Sequence, residues 1–256
     1  MFLCRYLKHT AITVMLGLAC ADAAIGQSTT SRDSLFVSMP SVVMPQIAAL
    51  GERVRRPGKE KIIFVGQYVD SSGTRPAQVT YQVPGLVRLD GFKPGSASIT
   101  FDGERSYGSA SAIDDAFLET FIMDTAEGMF ASTKRGAGFR LLGRQFQPHP
   151  KNFPNYAGPR YDIYELVSPV RSRQDQLVRL KRYYFDSSTG LLLRTRYRDR
   201  TTSRSITVET RFSGWRTIDG SAYPGRVDRY ENGQPIFSFV VTNISAGPRV
   251  EPAGFR

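Results

Sequence analysis

The stretch YYFDSSTGLLLRTRYRD at 183–199, followed by TVETRFSGWRTIDGSAYPGRVDRYENGQPIFSFVVTNI at 207–244, is built around three hairpin signals. Asp186-Ser187-Ser188-Thr189-Gly190, Asp219-Gly220 and Asn232-Gly233 each separate runs of β-branched, aromatic and alternating residues. Asn-Gly and Asp-Gly supply the positive φ angles that tight hairpin turns require. Strands are therefore expected at 178–186, 190–199, 204–214, 224–231 and 235–244, joined as an antiparallel meander.

Working outward, the same period of two continues upstream. Residues 60–70 (EKIIFVGQYVD) are apolar on both faces, as a central strand would be, and 77–83 alternate Ala77, Val79, Tyr81 and Val83 against polar residues. Shorter strands are expected at 86–90 and at 97–102, the latter with Ala97, Ile99 and Phe101 on one face. Strands at 138–146 and 160–167 lead into the hairpins.

Two helices interrupt the strands. Between Leu35 and Leu50 the pattern Leu35, Val37, Val42, Val43, Ile47 and Leu50 suits a short helix whose start Pro40 and Pro45 limit, with Pro45 tolerable in its first turn and Gly51 as its stop. A longer one is expected over 112–131, capped by Ser111 and Asp114, with Asp115 favouring the positive end of the helix dipole and Ile113, Phe117, Phe121, Ile122, Met129 and Phe130 as its apolar stripe.

The N-terminus has a different character. Arg5 and Lys8 precede the apolar run Ala11–Ala19, and small residues follow through Ala24 and Gly26. That order is a secretory signal peptide, expected at 1–26, with 27–34 as a polar leader and 35–256 as one domain. The apolar run is shorter than the about 20 residues a spanning helix needs. Cys20 leaves a second reading open, acylation as in bacterial lipoproteins, but the position three residues before it, where leucine is usual, is Gly17. The expected location is the bacterial periplasm or cell envelope.

Removing the peptide also removes both cysteines, Cys4 and Cys20, and one of the two histidines, His9. The remaining chemistry is sparse. His149 sits between Pro148 and Pro150 in the proline-rich stretch 147–160, and no GxSxG elbow accompanies it. Zinc requires clustered His or Cys ligands, which are missing. Asp162, Glu165, Glu209 and Asp228 are strand carboxylates from which a hydrolase pair would have to come. No cofactor and no metal site are expected, and the residues point to a non-enzymatic protein.

The formal net charge of +11 falls to +10 when Arg5, Lys8 and Asp22 leave. An exported chain seldom meets nucleic acid, so the charge points instead to anionic membrane surfaces or acidic envelope polymers. Arg194, Arg196 and Arg198 alternate along one strand with Leu192 on the same face, and Arg179 and Lys181 are candidates to extend the stripe across the hairpin. They are the expected headgroup or anion-binding residues.

The whole order of features, IAALG at 47–51, FVGQYV at 64–69, a central helix and then the quoted hairpins, resembles the LolA/LolB-like superfamily of envelope proteins, particularly the outer-membrane lipoprotein-sorting branch. The resemblance implies a mainly β (α+β) fold, a strongly curved antiparallel sheet of about ten or eleven strands forming an incomplete β-barrel with helices plugging its concave side. It also implies a hydrophobic cavity for lipid or lipoprotein acyl chains. The positions that would line it here are Phe64, Val79, Tyr81, Ile99, Phe101, Phe117, Phe121, Val208, Phe212, Phe237 and Phe239. A protein-binding adaptor and a hydrolase are the alternatives.

Overall fold

The computed structural model describes residues 43–51, 60–82, 86–92, 95, 98–102, 106–108, 116–134, 137–147, 158–171, 176–199 and 205–249. The expected signal peptide and leader, the expected cap residues Ser111 and Asp114, their neighbours Ile113 and Asp115, and Ala97, Val83 and the proline-rich stretch around His149 lie outside the described residues.

Twelve strands form one antiparallel sheet. They are β1 (Glu60–Asp70), β2 (Gly73–Gln82), β3 (Leu86–Asp90), β4 (Ile99–Asp102), β5 (Ser106–Tyr107), β6 (Gly138–Phe146), β7 (Tyr161–Arg171), β8 (Gln176–Asp186), β9 (Leu192–Asp199), β10 (Ile206–Ser213), β13 (Arg226–Glu231) and β14 (Gln234–Pro248). A separate small hairpin consists of β11 (Arg216–Ile218) and β12 (Ser221–Tyr223). The order across the sheet is β5-β4-β3-β2-β1-β14-β13-β10-β9-β8-β7-β6. The strand farthest along the chain, β14, thus pairs with the first, β1, over Glu60–Asp70. Among the described residues the edge strands β5 and β6 do not pair, so the sheet is open, as an incomplete barrel.

The turns behave as their residues dictate. Asp219 and Asn232 take φ of 48° and 50°, and the glycines after them 71° and 81°, the left-handed pairs a two-residue hairpin loop needs. At the β8–β9 turn, the Asp186 carboxylate accepts hydrogen bonds from the backbone N–H groups of Ser188 and Thr189.

That turn also seats the first helix, α1 (Met44–Leu50), which carries a proline in its first turn and ends at Gly51, as expected. Gly190 has φ of 72°. A Cβ there would stand 3.0 Å from the Ala49 Cβ and 3.1 Å from the Pro45 carbonyl oxygen. Only a residue without a side chain lets α1 lie this close. Ile47 and Leu50 of α1 enter the core, and Tyr164 donates a hydrogen bond to Gln46 at 3.2 Å.

The long helix expected over 112–131 is two segments. Residues 116–118 are α-helical, Glu119–Met123 form a π-turn closed by the Asp124 N–H on the Glu119 carbonyl (2.9 Å), and a new helix, α2, runs Ala126–Lys134. Thr125 caps α2: its hydroxyl accepts from the Gly128 N–H at 3.0 Å and donates to the Ile122 carbonyl at 2.8 Å. The two segments approach so closely that a Cβ on Gly128 would stand 2.0 Å from the Ile122 oxygen. The apolar stripe survives the break, with Phe117, Phe121, Ile122, Met129 and Phe130 all buried against the sheet.

Candidate functional site

An apolar cleft opens between the broken helix and the inner face of the sheet. β1 and β2 contribute Phe64, Val79 and Tyr81; β9, β10, β13 and β14 contribute Leu192, Phe212, Val227, Phe239 and Val241; Trp215 and Pro224 close one side. The cover is the helix break itself, through Phe121, Thr125, Ala126 and Glu127. The cavity measures about 60 Å³, and free space counted out through its open mouth comes to about 600 Å³. Trp215 is fixed by donating from its indole nitrogen to the Leu192 carbonyl at 3.2 Å. Phe64 meets Tyr223 edge to face with ring centroids 5.7 Å apart.

Of the residues expected to line a cavity, Phe64, Val79, Tyr81, Phe121, Phe212 and Phe239 do line this one. The other five lie elsewhere. Phe117 and Phe237 join Tyr68, Phe92, Phe121 and Phe239 in an aromatic cluster with centroids 5.2–6.2 Å apart, which fills the inner face beside the cleft. Ile99 is buried in the same core and Phe101 is half-buried against it. Val208 is fully buried two positions from Thr210 on β10. Sequence alternation puts the strand residues Ile99, Phe101, Val208 and Phe237 on the inner face but cannot say which stand under the helix and which under empty space.

Leu192 departs from its expected face. A bulge between Tyr184 and Phe185 shifts the register, so that Phe185 pairs with Leu192 and Tyr184 with Arg194. Leu192 is thereby turned inward to the cleft, while Arg194, Arg196 and Arg198 keep the outer face. Trp215, Val227 and Val241 were not anticipated either. The only tryptophan of the chain, placed after Gly214 between two strands, was the available signal for one of them.

Beside the cleft, the cover is tied down by a buried polar group that no sequence pattern announces. Lys181 on β8 belongs to the inner face, opposite Tyr197, and not to the outer stripe. Its ammonium donates to Glu119 and, at 2.6 Å, to Asp124, and it lies 4.4 Å from the Tyr197 ring centre. Thr210 donates to the other Asp124 oxygen. Arg229 donates to the Thr120 hydroxyl at 3.0 Å and to Glu231. Burial pushes the Asp124 carboxyl above its ordinary pKa, against the pull of Lys181.

The strand carboxylates are committed elsewhere. Glu165 accepts from Arg140 and Arg182; burial alone would raise its pKa, and those two guanidinium groups outweigh it and hold it below its ordinary value. Glu209 pairs with Arg194 and Arg211, Asp228 with Arg226, and Asp162 accepts from the Gln145 N–H and the Ser187 hydroxyl. None lines the cleft, whose acidic residue is Glu127. Among the described residues no three His, Cys, Asp or Glu side chains gather as a metal site would require, and no helix is long and apolar enough to cross a membrane.

No family model matches the chain, and no curated protein matches it. Solved structures do. A LolA superfamily protein from Nitrosomonas europaea is 10% identical, with a TM-score of 0.51 over 83% of this chain and 94% of that one. A putative outer membrane lipoprotein-sorting protein domain from Vibrio parahaemolyticus (11% identical, TM-score 0.48, 84% and 95% covered) and a DUF1329 family protein from Desulfovibrio piger (12%, 0.47, 83% and 95%) also match. At such identities the likeness is one of fold: the open sheet with its helical cover is similar in fold to the LolA superfamily protein from Nitrosomonas europaea.

Proposed function

We propose that this chain is a non-enzymatic protein of the bacterial periplasm or envelope that binds the acyl chain of a lipid or lipoprotein in the cleft and carries it toward the outer membrane. The observation that carries the reading is the lining: phenylalanine, valine, leucine and tryptophan from six strands and a connecting turn, covered by the helix break at Phe121, Thr125, Ala126 and Glu127. Such a surface offers burial to an apolar chain and no acid–base pair to a reacting group.

Size decides how binding must occur. The 60 Å³ cavity is several-fold smaller than ligand pockets, which enclose about 300–1,000 Å³. An acyl chain therefore enters through the mouth and displaces the cover at Phe121–Glu127, where the π-turn already interrupts the helix.

Titration with a dansyl-labelled fatty acid tests this. Fluorescence should rise saturably, and Val79→Trp, which fills the cavity from β2, should weaken binding at least tenfold, the factor that about 1.4 kcal/mol represents. Solvent extraction of the purified protein should release lipid. An empty protein that ignores the probe, and retains one protein partner after delipidation, would make the chain an adaptor instead.

A further inference from the structure

The outer face of β6–β10 carries a feature that does not depend on what the cleft holds. One row of side chains crosses it strand by strand, Arg140, Glu165, Arg182, Arg196 and Glu209, each the direct cross-strand neighbour of the next. The adjacent row runs Tyr184, Arg194, Arg211 and Asp228. Arg182 thus stands opposite Arg196, and Arg194 opposite Arg211. Like charges directly opposed weaken a sheet.

The acids do not cancel these charges at the surface. Glu165 is fully covered, whereas its partners Arg140 and Arg182 are 63% and 52% exposed. Glu209 is 14% exposed beneath Arg211, itself 52% exposed. The carboxylates lie inward and hold the guanidinium groups, which keep half or more of their side-chain surface exposed. Arg194 is the positioning member, stacked 4.1 Å over Tyr184 and 5.4 Å from Tyr161. Arg196 and Arg198 are exposed, with no ion pair to a carboxylate among the described residues. On the same flank Leu180, Leu142 and Phe146 are 46%, 41% and 50% exposed. Leu180 shares the outer face of β8 with Arg182.

We propose that this face docks on an anionic phospholipid bilayer, with Arg182, Arg196, Arg198 and Arg211 taking phosphodiester oxygens and Leu180, Leu142 and Phe146 entering the interfacial layer. The cations are spread over three neighbouring strands, about 4.8 Å apart, which suits a plane of headgroups rather than one enclosed phosphate. Exposed apolar side chains among arginines gain from a membrane interface and would gain nothing from a soluble polyanion.

Vesicle flotation tests the proposal. Purified protein should float with phosphatidylcholine vesicles containing phosphatidylglycerol, not with phosphatidylcholine alone, and added salt should weaken binding. Each arginine removed should cost about fivefold, so Arg196→Gln with Arg198→Gln should cost about 25-fold. Those two are chosen because no carboxylate in the described structure relies on them, so folding is undisturbed. Leu180→Ser should remove binding that survives high salt, and Arg88→Gln on β3 should change nothing. Equal binding to neutral vesicles, an unaffected double variant, or tighter capture by heparin through the same arginines would each overturn it.

Discussion

The broken helix rests on two unlike halves of one sheet face. Toward β1, β14 and the bend after β3 that carries Phe92, it presents Phe117 and Phe121 to a cluster of aromatic rings. Toward β8, β10 and β13 it presents Glu119, Thr120 and Asp124 to Lys181, Thr210 and Arg229. The first half holds by area and is indifferent to small changes of direction. The second holds by directed charges and has little tolerance for the loss of a partner. The cleft lies along the same cover, so both halves set how readily it opens.

The largest effect should follow from breaking the charged half. Lys181→Met leaves Asp124 and Glu119 without their shared ammonium, and removing one partner of a buried ion pair costs about 3–5 kcal/mol. Urea unfolding should show that loss, and the deficit should shrink on acidification because a protonated Asp124 no longer needs its cation. Pairing the change with Asp124→Leu should recover more than half of it, since an apolar replacement of a whole buried pair is often neutral. A double variant as unstable as the single one would mean that the charges are not the reason these residues hold the cover.

The aromatic half should yield less. Phe92→Leu keeps most of the buried area and loses the edge-to-face contacts with Tyr68, Phe117 and Phe121, an expected cost of about 1–1.5 kcal/mol. A loss as large as that of Lys181→Met would erase the distinction between the halves.

The two halves also differ in how far the sequence reveals them. Strands and hairpins are legible because their signals are local: alternation shows which face a residue takes, and Asn232-Gly233 or Asp219-Gly220 shows where the chain reverses. The aromatic half is legible for the same reason, since Phe237 and Phe239 announce their face by spacing alone. Asp124 is not. In a helical stripe it reads as a solvated charge, and the lysine that makes it a buried ion-pair member is 57 residues away on another element. The helix break follows from that partnership together with Thr125, so a smooth helix was the natural expectation. Leu192 was misplaced because a bulge is a property of the pairing and not of either strand. The cavity was half legible: inner-face positions were identifiable, but which of them face space depends on where the helix breaks.

The smallest effect separates the halves by pH. At the rim of the aromatic half, burial would raise the Asp70 carboxyl, but hydrogen bonds from Ser72 and Arg75 outweigh it and bring its pKa from the ordinary 3.8 down to about 2. A carboxyl that releases its proton more readily when folded stabilises the fold above pH 3.8, and that contribution disappears as pH falls toward 2. Asp124 shifts the opposite way. The unfolded chain gives up that proton first, so the group's contribution declines as pH rises past the ordinary carboxylate range. Melting temperature followed against pH should therefore lose part of its acid limb in Asp70→Asn and become flatter on the neutral side in Asp124→Asn. If both variants altered the same limb, the two carboxylates would share one environment, and the division of the sheet face into an apolar and a charged support would not hold.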